Sequence, residues 1–209
     1  MKKSIYQTEK VQVDIASDIH LKYAKEISQI MAESAAARKT GIAKRSSQYI
    51  KQKMIEGKAV IAVAKDSRFA GFCYIETWNH GRYVANSGLI VSPEFRGMGL
   101  GKMIKNAAFE LSRKKFPKAK IFGITTSPAV LKINTQLGYR PVSFTELTDD
   151  EEFWKGCQSC SNYDILTRTE RKYCLCTGML FDPEEKKIKE QSDDSVVTHY
   201  SAQLGNDIF

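Results

Sequence analysis

The 209-residue chain contains no stretch approaching the roughly 20 consecutive apolar residues of a membrane-spanning helix, so no span is expected. Its first residues, Met1-Lys-Lys-Ser-Ile-Tyr-Gln-Thr-Glu-Lys10, are basic but lack the apolar run of a secretory signal, and a cytoplasmic setting is expected. There is no internal repeat and no low-complexity tract. Nor does the chain have the polar bias of disorder. Hydrophobic residues make up 42% and charged residues 27%, enough to bury the core of an ordinary domain.

What the chain does have is excess positive charge. It holds 32 Lys and Arg against 24 Asp and Glu, a formal charge of +8. Such a balance favours an anionic partner: nucleic acid, a phosphate-bearing cofactor or an acidic metabolite. The excess is uneven. Residues 1–146 hold 25 basic and 11 acidic side chains (+14), while residues 147–209 hold 7 and 13 (−6). The change falls at Thr148-Asp-Asp-Glu-Glu152, an acidic run of the kind that starts a helix or lines a linker. Four of the five cysteines lie beyond it. The expected organisation is a body over 1–146, a cysteine-rich extension over 147–182 and a polar tail over 183–209.

Periodicity predicts the elements of the body. Val11–Ile15 alternates as a strand, and helical spacing over about residues 19–38 places Leu21, Ala24, Ile27, Met31 and Ala35 on one face. A second helix runs from about Ser46 to Glu56. Ala59–Ala64 and Phe69–Ile75 read as a hairpin, and a further strand ends at Val91. A helix over 100–115, a strand over 121–125, a short helix over 127–137 and a strand over 139–144 complete the series. An antiparallel run followed by βα alternation means a mixed α/β sheet.

Ser92-Pro-Glu-Phe-Arg-Gly-Met-Gly-Leu-Gly-Lys102 carries the most information. A strand runs into glycines and then into a helix, so unpaired backbone N–H groups and the positive helix end converge on one spot. Glycines allow close backbone approach, and Arg96 and Lys102 add charge, so the spot suits a phosphate or pyrophosphate. Two common phosphate motifs are absent. Met103 follows Lys102 where a Walker A loop needs a hydroxyl, and Gly97, Gly99 and Gly101 lack the spacing of a dinucleotide fingerprint.

Arg96-x-x-Gly99-x-Gly101 resembles the R/Q-x-x-G-x-G/A motif of the GCN5-related N-acetyltransferase (GNAT) family. The element order over about residues 10–145 and the helix end Ala129–Tyr139 carry the same resemblance. It implies the GNAT-like acyl-CoA N-acyltransferase fold. By the same resemblance Arg96, Gly97, Met98, Gly99, Leu100, Gly101 and Lys102 hold the pyrophosphate of an acyl-CoA. Leu89, Ile90 and Val91 line the pantetheine and the acyl carbonyl, in a cleft between strands that splay after residues 91 and 125. Acetyl-CoA is the default donor, and succinyl-CoA is a larger alternative.

Acyl transfer to an amine needs a deprotonated amine, a polarised thioester carbonyl and a proton donor for the leaving thiolate. The family often places a tyrosine donor in the last helix, where this chain has Asn134, an amide that cannot give up a proton. A carboxylate is often found on the fourth strand, yet residues 82–91 contain no acid. Glu76 and His80, just before that strand, are the candidates to act as base. Ile124–Ser127, Leu137–Val142 and Leu147 are similar to the acyltransferase portion of N-acetylglutamate synthases, which implies an acidic amino acid such as glutamate as acceptor.

Cys157-x-x-Cys160 and Cys174-x-Cys176 have a spacing that could converge four thiolates on a structural zinc ion. Two disulfides, four separate thiols and an iron–sulfur cluster are the alternatives, and a reducing compartment weighs against disulfides. Cys73, within an apolar strand, is expected to be buried. The reading as a whole is an N-acetyltransferase of amino-acid metabolism acting on the primary amine of a small molecule. The alternative is an acyl-CoA-binding regulatory protein without turnover. Nucleic acid is disfavoured because the cysteine-rich segment is acidic and the basic residues are interspersed with apolar helix faces.

Overall fold

The computed structural model describes residues 6–7, 10–38 and 45–185. Strands are β1 (Tyr6–Gln7), β2 (Val11–Ile15), β3 (Ala59–Ala64), β4 (Phe69–Trp78), β5 (Tyr83–Val91), β6 (Lys120–Thr125), β7 (Arg140–Val142) and β8 (Thr177–Phe181). Helices are α1 (Ala24–Arg38), α2 (Ser47–Ile55), α3 (Leu100–Lys115), α4 (Pro128–Gln136), α5 (Glu151–Lys155) and α6 (Tyr163–Arg168). The strands form one sheet in the order β1-β2-β3-β4-β5-β6-β8-β7. Only β5 and β6 run parallel, which makes the sheet mixed as expected. The helix expected over 19–38 begins instead as a 3-10 turn over Asp18–Tyr23 and becomes α-helical at Ala24.

Apolar patterning explains the layers. β3 and most of β4 are buried along their length because helices cover both faces of the sheet centre. On one face Ile104, Ala107, Ala108 and Leu111 of α3 pack against Val60, Cys73, Ile75, Val84 and Ile121. On the other, Ile27 and Met31 of α1 and Ile50 and Met54 of α2 pack against Ile61, Phe72 and Tyr74.

Two features of this sheet position the site. β5 and β6 pair only at Tyr83–Ala85 with Lys120–Phe122, and beyond that register they separate, earlier along both strands than residues 91 and 125. Opposite Cys73, the β4–β5 register shifts: Phe72 faces Ile90 but Tyr74 faces Ser87. Gly88 and Leu89 thus form a bulge, which leaves backbone groups outside the ladder. Gly88 has φ +65°, and a Cβ there would lie 2.6 Å from the Tyr74 ring, so the bulge requires glycine.

The acidic run does start a helix, with the Asp150 side chain capping α5. The stretch that follows is not an extension standing apart, however. Its last strand, β8, pairs antiparallel with both β6 and β7 inside the sheet. Its Trp154 and Leu166 share a core with Phe122 of β6 and Leu180 of β8. The boundary at 146 therefore divides stretches that share one sheet. Of the expected tail over 183–209, residues 186–209 lie outside the described residues. At its start Glu185 pairs with Arg140 at 2.9 Å.

Candidate active site

The glycine loop has the geometry its sequence implies. β5 ends at Val91, Pro93–Phe95 make one 3-10 turn, and Gly97 and Gly99 both adopt left-handed backbone, with φ of +78° and +74°. Gly99 is the N-cap of α3, and the N–H groups of Lys102 and Met103 already turn back to its carbonyl. The N–H groups of Leu100 and Gly101 precede those bonds, so they and the positive helix end are available to an anion. A Cβ at Gly97 or Gly99 would meet nothing within 4 Å, which leaves an open cradle. Arg96 and Lys102 are exposed, with the Arg96 Nε donating to the Val91 carbonyl at 3.2 Å. Met98 projects to solvent, and Leu100 and Ile90 are buried in the core.

Where β5 and β6 separate, a cavity of about 190 Å³ opens between them. Gly88 and Leu89 of the bulge, Ile124 and Thr125 of β6 and Val130 of α4 line it, together with Arg45, Tyr74, Glu76 and Trp78. Glu76 is the one carboxylate lining this cavity among the described residues. Its Oε2 accepts from the Tyr49 hydroxyl at 2.6 Å and pairs with the buried Lys53 ammonium. Burial raises the Tyr49 pKa, with the neighbouring Tyr74 and Glu76 adding to the effect, so Tyr49 remains a donor. The Arg45 Nε donates to the Tyr74 hydroxyl at 2.8 Å and brings a positive charge into the same wall. His80 is exposed in the turn after β4 and does not line the cavity.

The acetyltransferase (GNAT) family model matches residues 27–129, the stretch from α1 through the glycine loop to the start of α4. Those residues are similar to a GNAT acetyltransferase domain. No curated protein sequence matches the chain. Solved structures share the fold at low identity. N-acetylglutamate synthase from Neisseria gonorrhoeae, complexed with coenzyme A and N-acetyl-glutamate, is 15% identical with a TM-score of 0.59 over 84% of this chain and 36% of the synthase. Rv2747 from Mycobacterium tuberculosis, in complex with CoA, is 16% identical with a TM-score of 0.59 over 81% of this chain and 98% of its own. A phosphinothricin acetyltransferase from Sinorhizobium meliloti, in complex with acetyl-CoA, is 17% identical with a TM-score of 0.55, over 82% and 88% of the two chains. This chain therefore spans about a third of the gonococcal synthase and nearly all of Rv2747.

Asn134, just beyond the matched residues, is not a surface residue. It is 1% exposed at the end of α4, and its side-chain Oδ1 has no hydrogen-bond partner among the described residues. The Trp78 Nε1 in the cavity wall is likewise buried and unpartnered. Such orphaned polar atoms are costly unless a ligand satisfies them. The cradle and these orphans fit a coenzyme and an acceptor.

The cysteines depart from expectation. Cys157 and Cys160 form the tight turn their spacing implies, with the Cys160 N–H bonded to the Cys157 carbonyl at 2.9 Å. Cys174 and Cys176 lie in a bend before β8, not in a strand, so strand alternation does not aim them together. Among the described residues, no group of three or more His, Cys, Asp or Glu side chains is placed to hold a metal ion, and the expected four-thiolate zinc site is not found. The four thiols instead line the cavity wall, half-buried. Burial, reinforced by neighbouring thiols, pushes Cys157 up to about 11 and Cys176 up to about 12, so both are protonated at neutral pH.

Sequence reasoning missed Arg45, Tyr49, Lys53 and Lys105, which tertiary packing brings to the site. Lys105 alone left a trace. On α3 it follows Ile104 and stands three residues before Ala108, within the apolar stripe where a cation is out of place.

Proposed function

We propose that this protein is an acyl-CoA-dependent N-acyltransferase that uses acetyl-CoA and acylates the primary amine of a small, carboxylate-bearing acceptor such as glutamate. One observation carries the reading: α3, which begins at the glycine cradle, sends Lys105 into the lining of the cavity in the β5–β6 separation, where Glu76 is the single lining carboxylate among the described residues. Arg96 and residues 97–102 take the pyrophosphate, and Leu89, Ile90 and Val91 line the pantetheine arm. The Asn134 Oδ1 offers an acceptor to a coenzyme N–H. Backbone N–H at the Gly88–Leu89 bulge polarises the thioester carbonyl. Glu76, oriented by Tyr49 and Lys53, receives the proton of the attacking amine, and holding amine and thioester side by side supplies much of the rate.

Arg45 and the unpartnered Trp78 Nε1 give the acceptor end of the cavity a cation and a donor, which suits a carboxylate. Five free thiols accord with a reducing, cytoplasmic setting. The test is release of free thiol from acetyl-CoA with L-glutamate, L-aspartate, L-lysine, spermidine and a lysyl peptide as acceptors. Release with the dicarboxylic amino acids at the highest kcat/KM is expected. Tight coenzyme binding with no release for any acceptor would replace the enzyme by a non-catalytic acyl-CoA-binding protein.

A further inference from the structure

Lys105 is 2% exposed, yet it lines the cavity between β5 and β6. Among the described residues no carboxylate pairs with it. Its contacts are the face of Tyr139, with Nζ 5.4 Å from the ring centroid, and the neighbouring Cys73 thiol of β4. A buried ammonium without an anion is expensive, and an anion arriving in the same cavity would relieve that cost. In the acyl transfer proposed above, on which this inference rests, one anion does arise there: the coenzyme sulfur as its bond to the acyl carbon breaks.

The usual donors are unavailable. Asn134 has no ionisable proton. The Tyr139 hydroxyl is committed to the Asn86 Oδ1 at 3.0 Å, and burial raises its pKa well above the ordinary value. Burial also holds Cys73 at about 11. We propose that the Lys105 ammonium is the catalytic proton donor to the departing coenzyme thiolate.

The step balances as follows. The acceptor nitrogen attacks the thioester carbon, the C–N bond forms, the C–S bond breaks, and the electron pair leaves on sulfur. Lys105 passes one proton from Nζ to that sulfur, giving coenzyme thiol and a neutral lysine amine. The extra proton on the amide nitrogen goes to the Glu76 carboxylate. Glu76 then returns a proton to water and Lys105 takes one up. Desolvation lowers the Lys105 pKa to about 8, close to that of an alkyl thiol, so the transfer is nearly balanced in energy.

Lys105→Met is the decisive variant, because it keeps an unbranched side chain only one atom shorter and replaces a buried charge by an apolar group. The other titratable groups around Lys105 are Cys73 and Tyr139, with Tyr74, Glu76, Arg45 and the four cavity thiols farther along the same wall. The wild type should release thiol from acetyl-CoA with a rate that falls as pH rises through about 8, since the donor must be protonated. Lys105→Met should bind acetyl-CoA and melt cooperatively, at or above the wild-type temperature, with kcat lower on the order of 10²-fold and no such falling limb. A variant with unchanged kcat, or with lowered kcat and the falling limb intact, overturns the role of Lys105 alone. A wild type that binds acetyl-CoA but acylates none of the five acceptors overturns the acyltransferase reading and this role together.

Discussion

At the residue scale, the glycines of the loop differ in what a substitution would report. Gly99 has φ +74°, so a side chain there strains the backbone whatever the ligand does. Gly101 has ordinary backbone, and its Cβ would meet only Val91 Cγ2 at 3.7 Å, an ordinary contact. Gly101→Ala should leave the melting temperature unchanged or slightly higher, since alanine is favoured over glycine in a helix by up to about 1 kcal/mol. Its acetyl-CoA Kd, read by calorimetry, should rise more than about tenfold, about 1.4 kcal/mol, if the added methyl blocks the cradle. Unchanged affinity would remove the pyrophosphate from this loop. Lys105 makes a second prediction at this scale. Its folded pKa of about 8 lies below the unfolded value of about 10.4, so between those values the unfolded chain binds more protons and stability rises with pH. The same penalty is present in full below about 8. Denaturant unfolding should show the wild type gaining up to about 3 kcal/mol on Lys105→Met between pH 8 and 10.4. Taking the difference cancels the opposing titration of the buried thiols. The motif that found the loop is local and therefore legible, whereas the place of Lys105 in the apolar stripe is only a trace, and its burial beside the cavity depends on packing from other elements.

At the element scale, a buried polar relay ties three elements together beside the cavity. The Tyr139 hydroxyl donates to the Asn86 Oδ1 of β5, the Asn86 Nδ2 donates to the Ser112 hydroxyl of α3 at 2.8 Å, and Ser112 donates to the Ala108 carbonyl. Asn86→Ala leaves two buried partners unsatisfied and should cost about 2–3 kcal/mol by chemical denaturation, with Tyr139→Phe costing about half as much. Equal, small costs would mean that water replaces the lost bonds. α3 itself was legible, because its apolar residues recur at helical spacing and glycine and Phe116 bracket it. The bulge in β5 was not. A glycine in an apolar strand is compatible with several geometries, and only the Tyr74 ring from the neighbouring strand dictates this one.

At the scale of the whole molecule, the acidic, cysteine-rich stretch closes the sheet. A chain ending at residue 146 would lose β8, the partner of both β6 and β7, and with Trp154 and Leu166 also removed would open the core around Phe122 and Phe144. Such a truncation should be insoluble or lack a cooperative thermal transition, since an unpaired inner strand is an aggregation edge. A soluble, cooperatively melting fragment would restore the division at 146. The charge asymmetry that marked that division is real in the sequence, yet the described part of the acidic stretch shares one sheet with the basic body. The sequence alone settled those things that depend on near neighbours: helical and strand periodicity, the alternating glycines that cap α3, the acidic start of α5, and with them the GNAT resemblance. Tertiary structure alone decided which distant residues meet. It seated β8 between β6 and β7, turned the cysteines onto the cavity wall, and sank Lys105 beside the β5–β6 opening. Burial and charge pairing depend on contacts far apart in the chain, and no local pattern records them.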